Sequence, residues 1–168
     1  MKRLITISGI VIVMLAATFA ATAALSDYTG TWILDQDKSK GLPTPPPGVN
    51  YGTVQIEMTV TQDGKQFNIK SNMFGGQDIF YNLDGSKSKA QMGKLLMTGE
   101  ATVYLEKKDD GKIVLHSQRE ITSQGQPLTL ESTETWELAD GGKTLKVNRI
   151  TESSRGKHEV SLVFTRKS

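Results

Sequence analysis

The feature that most constrains how this chain can fold is its punctuation. Turn signals recur at Asp63-Gly64, Gly75-Gly76, Asp84-Gly85, Asp109-Asp110-Gly111, Gln124-Gly125, Asp140-Gly141-Gly142 and Arg155-Gly156. Asp-Gly between alternating segments is a hairpin signal, because tight primed turns need positive φ at their central residues. The intervals are short and show no convincing 3.6-residue periodicity, so they leave no room for a crossover helix. Consecutive hairpins make an antiparallel meander. A long meander has two exposed edges, and closing it into a barrel removes them.

The apolar alternation agrees. Val54, Ile56, Met58 and Val60 share one face, and Gln55, Glu57, Thr59 and Thr61 take the other. A two-residue Asp63-Gly64 loop would set Val60 opposite Phe67 and Met58 opposite Ile69, apolar against apolar. Further strands are expected near 29–35, 77–83, 86–92, 100–107, 112–121, 127–138, 143–152 and 157–166. The predicted class is therefore all-β, a single antiparallel up-and-down β-barrel of about eight to ten strands. Residues 36–52 interrupt the pattern with Gly41, Pro43, Pro45, Pro46, Pro47 and Gly48. Proline makes no ladder bond and favours extended polyproline conformation, so this stretch reads as a long connection between the first two strands.

Residues 1–24 read as a cleavable export signal rather than as part of the domain, which is expected over 25–168. Lys2 and Arg3 form the charged start, Ile10–Ala17 the apolar run, and Ala21-Thr22-Ala23 the small-residue cleavage site. Thr6, Ser8, Thr18 and Thr22 break the run, whereas a spanning helix needs about 20 apolar residues. No stable membrane anchor is expected after cleavage. The chain contains no cysteine, which excludes lipoprotein attachment, disulfides and thiol catalysis. The expected location is periplasmic or secreted, and an exported domain without disulfides must rely on its core. The formal charge of +2 is carried by Lys2 and Arg3; without them the basic residues equal the 18 acidic ones. Nucleic-acid binding needs a basic face, and here bases and acids interleave along each strand, so no nucleic-acid partner is expected.

One short motif carries a family likeness. Tyr28-Thr29-Gly30-Thr31-Trp32, a meander, and a last strand Val160-Ser161-Leu162-Val163-Phe164-Thr165-Arg166 together resemble a lipocalin-like domain of the calycin superfamily, in its small exported bacterial form. The resemblance implies that Trp32 plugs the closed end of the barrel beneath Arg166, a cation–π contact. It also offers the 36–52 loop as a lid across the barrel mouth, against the alternative of a stiff surface crossover. The sequence departs from larger lipocalins in lacking disulfides and a final helix. Avidins open with a similar Thr-Gly-Thr-Trp, but their biotin pocket needs several tryptophans, and this chain has only Trp32 and Trp136.

Pairing the last four strands predicts what faces inward. A two-residue turn at Gln124-Gly125 sets Ile121 against Leu128, Arg119 against Leu130, Ser117 against Ser132, Leu115 against Glu134 and Ile113 against Trp136. The 140–143 loop sets Leu138 against Leu145, Trp136 against Val147 and Glu134 against Arg149. A turn at Arg155-Gly156 sets Arg149 against Leu162 and Val147 against Phe164. The result is an apolar plug of Ile113, Trp136, Val147 and Phe164. Above it, on the same face, come Glu134 and Arg149, then Ser117, Ser132 and Thr151, then Arg119 and His158.

Charges on a core-facing surface must meet each other or water. They form either a structural ion pair or the polar end of a cavity that orients a ligand. In the second case Arg119, Ser132, Glu134, Arg149 and His158 fix the polar end of a small, largely apolar molecule, and Phe67, Tyr81, Val103, Leu115 and Leu162 line the wall. Ser86, Ser88, Ala90 and Met92 would leave room beside them. The alternative is an envelope interaction protein with a filled barrel, acting through its surface or the 36–52 loop. No catalytic residue is assigned. Ser132, Glu134 and His158 lack an oxyanion hole, two separated histidines make no metal site, and haem ligation through His158 has no second supporting feature. No cofactor or metal is expected.

Overall fold

The computed structural model describes residues 25–42, 55–72, 76–92, 99–123 and 126–168. The expected export signal, Val54, most of the proline-rich connection and the Gln124-Gly125 turn lie outside these residues. Ten strands follow in chain order: β1 (Gly30–Leu34), β2 (Glu57–Gln62), β3 (Gln66–Ser71), β4 (Gln77–Asn82), β5 (Ser88–Met92), β6 (Gly99–Lys107), β7 (Ile113–Ser123), β8 (Gln126–Ala139), β9 (Thr144–Ser153) and β10 (Gly156–Arg166). A 3-10 turn, Asp140–Gly142, joins β8 to β9. All neighbours are antiparallel, in the order β4-β3-β2-β1-β10-β9-β8-β7-β6-β5. The meander thus curls until β1 meets β10, with Trp32 opposite Arg166.

The barrel is nearly closed. β4 and β5 share no ladder, and side chains bridge them instead: the Ser88 hydroxyl donates to the Phe80 carbonyl at 3.2 Å, and the Asn82 amide to Ser86 Oγ at 3.0 Å. The strands on either side differ in length. β1 to β5 have five or six residues each, whereas β7 to β10 have ten to fourteen.

One end of the barrel is sealed by aromatic packing. Tyr28, Phe67 and Trp136 meet edge to face, with ring centroids 5.7 to 6.2 Å apart, a favoured geometry for aromatic clusters. The Tyr28 hydroxyl donates to the carbonyls of Gly111 and Trp136, so the turn before β7 and the end of β8 are tied to one ring. Burial raises its pKa to about 12, because the phenolate would be desolvated there. Beside this cluster the Trp32 indole donates to the Tyr28 carbonyl at 3.0 Å. The Arg166 guanidinium lies 4.5 Å from the centre of the Trp32 ring. It also donates to the carbonyls of Gly142, Thr29 and Asp27. One guanidinium thereby fastens the first strand, the β8–β9 turn and the leading segment over a buried indole. Gly30 belongs to the same arrangement: its φ is +144°, and a Cβ there would meet Arg166 Nη1 at 3.1 Å.

The chain leaving β1 does not cross directly to β2. The Asp35 amide bonds to the Val163 carbonyl, and Lys40 and Ser161 exchange both backbone bonds, so 35–41 runs on along β10. The Ser39 hydroxyl fastens the intervening turn by donating to Asp35 O and accepting from Val163 N. Gly41, at φ +73°, presses so close to β10 that a Cβ would come within 2.5 Å of the Glu159 carbonyl. Leu42 then packs against the core at the open end with Ile56 and Val160.

Two expected registers differ from those found. Val60 faces Ile69 and Phe67 faces Gln62, because the Asp63 carboxylate accepts from the amides of both Lys65 and Gln66 and holds a four-residue loop. Likewise Val147 faces Leu162, and Arg149 faces Val160, because Gly156 already pairs with Ser153 as the first residue of β10. Phe164 therefore leaves the expected plug layer to pair with Leu145, and Leu162 takes its place. Both shifts are by two residues, so every side chain keeps its face.

Trp32 has no exposed surface, donates its indole N–H to Tyr28 and carries the Arg166 guanidinium over its ring. Trp32→Ala is expected to cost about 3–5 kcal/mol in chemical denaturation, as for other buried aromatics. A loss below about 1 kcal/mol would show that the seal does not depend on it.

Candidate functional site

Above the aromatic seal the inner face turns polar on one side. The Glu134 carboxylate is the pivot. Its Oε1 accepts from Arg149 Nε at 2.8 Å, and its Oε2 accepts from the Trp136 indole at 2.9 Å. Strand geometry makes this possible, since Glu134 and Trp136 are two residues apart on one face and Arg149 is Glu134's direct cross-strand neighbour. The side chains of Glu134 and Arg149 keep 18% and 24% of their surface, so both remain in reach of water. Tyr81 stands across the barrel within electrostatic reach of both, and burial holds its hydroxyl neutral, its pKa pushed far up. Tyr81, Glu134 and Arg149 together form a floor across the interior.

Below the floor the barrel is packed. Phe67, Ile113, Trp136, Val147 and Leu162 have 2% exposure or less, as do Leu105 and Leu115 in the register row of Glu134 itself. Above it, one register row carries Val103, Ser117, Ser132, Thr151 and His158. Ser132 and Thr151 share a hydrogen bond of 2.9 Å between their hydroxyls. The next row carries Ala90, Ala101, Arg119 and Leu130. Both alanines are buried in the core, Ala101 fully. Ser117, Arg119, Ile121, Leu130, Ser132, Thr151 and Val160 all keep partial exposure although they face inward. The opposing strands supply an apolar, buried wall that includes Leu34, Met58, Ile69 and Ile79.

The expected polar residues therefore separate into distinct roles. Glu134 and Arg149 neutralise each other. Arg119 makes no ion pair among the described residues; burial, and then repulsion from Arg149, pulls its pKa below the ordinary value. Ser132 belongs to the hydroxyl row, and His158, expected inward, sits at the rim of that row and is exposed. Of the expected wall, Phe67, Leu115 and Leu162 are closed into the packed half, Val103 is fully buried in the hydroxyl row, and Tyr81 stands in the floor. Trp32 and Arg166 form the sealed end described above. The inward set expected on β5 divides: Ala90 is buried, Ser88 is half-buried and Ser86 is exposed. Sequence reading missed Tyr28 as the bond between seal and turns, and missed the Ser39–Gly41 fastening on β10. A tyrosine four residues before the tryptophan was a visible signal for the first; nothing in the sequence announces the second.

Two clefts lie elsewhere. One of about 730 Å³ opens at the sealed end between Asp63–Gln66, Asn82–Asp84, Ser86 and Lys107. The carboxylates facing it, Asp63 and Asp84, are already held below their ordinary pKa by turn donors, and the cleft is open to solvent. The other, about 250 Å³, lies between Thr129, Glu131 and Glu152–Ser154. Neither touches the interior charges. Among the described residues no cluster of three histidine or carboxylate groups could hold a metal.

Comparison with known proteins places the fold. No family model matches the chain, and no curated protein does. Among solved structures, zebrafish ileal bile acid-binding protein complexed with cholic acid superposes with a TM-score of 0.53 at 12% identity, over 83% of this chain and 98% of that one. A point mutant of the REP1-NXSQ fatty acid transporter gives a TM-score of 0.48 at 16% identity, over 83% and 97%. The chain is an all-β, nearly closed antiparallel barrel, a fold it shares with the zebrafish protein.

The floor yields a test. Glu134→Gln leaves Arg149 without a counter-charge and is expected to cost about 1–3 kcal/mol. Adding Arg149→Met should recover part of that loss, which a double-mutant cycle in urea would measure. Strict additivity would mean that the two residues do not act as a pair.

Proposed function

We propose that this chain is an exported barrel that binds a small, largely apolar molecule by an anionic end. The observation that carries this reading is Arg119, a half-buried guanidinium on the inner face with no acidic partner among the described residues. Leaving a charge partly desolvated and unpaired costs stability. Local rules broken in this way mark functional positions more often than structural ones. Arg149 is already paired with Glu134, whose ion pair is with Arg149 and not with Arg119.

The surroundings suit the same ligand. Hydroxyls of Ser117, Ser132 and Thr151 lie one row below Arg119, able to donate to an acidic group. Apolar side chains face them from the short strands, as expected of a site that orients a mostly apolar molecule with few polar contacts. The zebrafish protein, which shares the fold, is complexed with cholic acid, which is in keeping with the reading. Export rests on the sequence of residues 1–24 alone.

Arg119→Met keeps the length of the side chain and removes its charge. It is expected to weaken binding of an alkyl carboxylate at least tenfold in calorimetry. The same variant should match or exceed the parent in urea stability, since no ion pair is lost. Unchanged affinity would remove the basis of the proposal.

A further inference from the structure

The charges around Arg119 fix the charge that a ligand's acidic end can carry. Arg119 and Arg149 are near enough to repel each other, and Arg149 is paired with Glu134 through its Nε at 2.8 Å. Two guanidiniums and one carboxylate leave one positive charge over. A singly charged acid neutralises it. A doubly charged one leaves a negative charge uncompensated on a partly desolvated face, and meets the Glu134 carboxylate as well.

The donors fix the shape of that acid. Among the described residues Arg119 makes no hydrogen bond and Arg149 donates only through Nε, so the terminal amino groups of both are left to donate. Ser132 and Thr151 share one hydrogen between their hydroxyls, which leaves the other hydrogen of the pair. Ser117 adds a third hydroxyl in the same row. These groups stand on three adjacent strands: Ser117 and Arg119 on β7, Ser132 on β8, Arg149 and Thr151 on β9. All five keep part of their surface exposed, so core packing has not used them up. A carboxylate is planar, and a single guanidinium engages its two oxygens side by side. A sulfate ester or sulfonate spreads the same single charge over three oxygens that splay in three directions. It can take Arg119, the hydroxyl row and Arg149 at once.

We infer that the acidic end is a singly charged sulfur oxyacid group, an organic sulfate or sulfonate, in preference to a carboxylate or a phosphate monoester. This rests on the anion reading above and names the class of acid. Carboxylates use the same groups more weakly.

The test is calorimetric titration of the full chain with octyl sulfate, octyl phosphate and nonanoate. Each offers an eight-carbon chain, and each is used below its micelle concentration, at about pH 8, where the phosphate monoester is doubly charged. Octyl sulfate is expected to bind about tenfold tighter than either, the worth of one further charge-assisted hydrogen bond. Ser117→Ala is expected to bring its advantage over nonanoate down to about threefold. An advantage that this substitution leaves unchanged belongs to the probe and overturns the assignment. Nonanoate or octyl phosphate binding as tightly as octyl sulfate also overturns it, and leaves the anion reading standing. Absence of binding by all three overturns the anion reading, and this inference with it.

Discussion

The Glu134 carboxylate is the contact on which the interior depends. Its two oxygens face different worlds. One receives the Trp136 indole, whose ring is wedged into the aromatic seal, and the other receives Arg149 at the edge of a region open to water. A barrel this small could bury every inward side chain and gain more stability from hydrophobic packing than from an ion pair. Instead it places a carboxylate, a guanidinium and an indole N–H on its inner face. The pair is well formed, so it costs little; Arg119 above it is the group that folding alone does not explain.

The sealed end makes this tolerable. Without disulfides, stability must come from the packed half, where Trp32, Tyr28, Phe67 and Trp136 are all buried. Arg166 ties the β8–β9 turn and the Asp27–Thr29 segment together over Trp32, where the first and last strands close on each other. The opposite end can then be built from exposed hydroxyls and charges. The seam between β4 and β5, held by side chains rather than a ladder, is a further place where regular pairing is given up.

Much of this architecture was legible in the sequence, because hairpin chemistry and two-residue alternation act locally. The facing of Glu134 with Arg149 and of Ile113 with Trp136 follows from turn positions and parity alone. Loop length was less legible. Asp63 captures two amides and Gly156 joins its strand, choices made by local hydrogen bonds that a dipeptide signal does not specify. The slips were even-numbered, so the inner and outer faces survived them. At the site, alternation showed which residues face inward but not how deeply each lies. It could not separate Leu115 and Leu162, closed into the core, from Leu130 and Val160, left partly open, nor show that His158 sits at the rim. Depth depends on how ten strands of unequal length curl around one another, and that is a property of the closed barrel.

The central proposal is that Arg119, partly exposed on the inner face and without an ion-pair partner among the described residues, holds the acidic end of a small apolar molecule. Amide chemical-shift mapping of the chain during titration with octanoate tests it most directly. The account predicts saturable shifts centred on Ser117, Arg119, Leu130, Ser132 and Thr151, with Trp32 and Ile113 unmoved. Shifts confined to the outer face or to the sealed end, or none at millimolar octanoate, would contradict it.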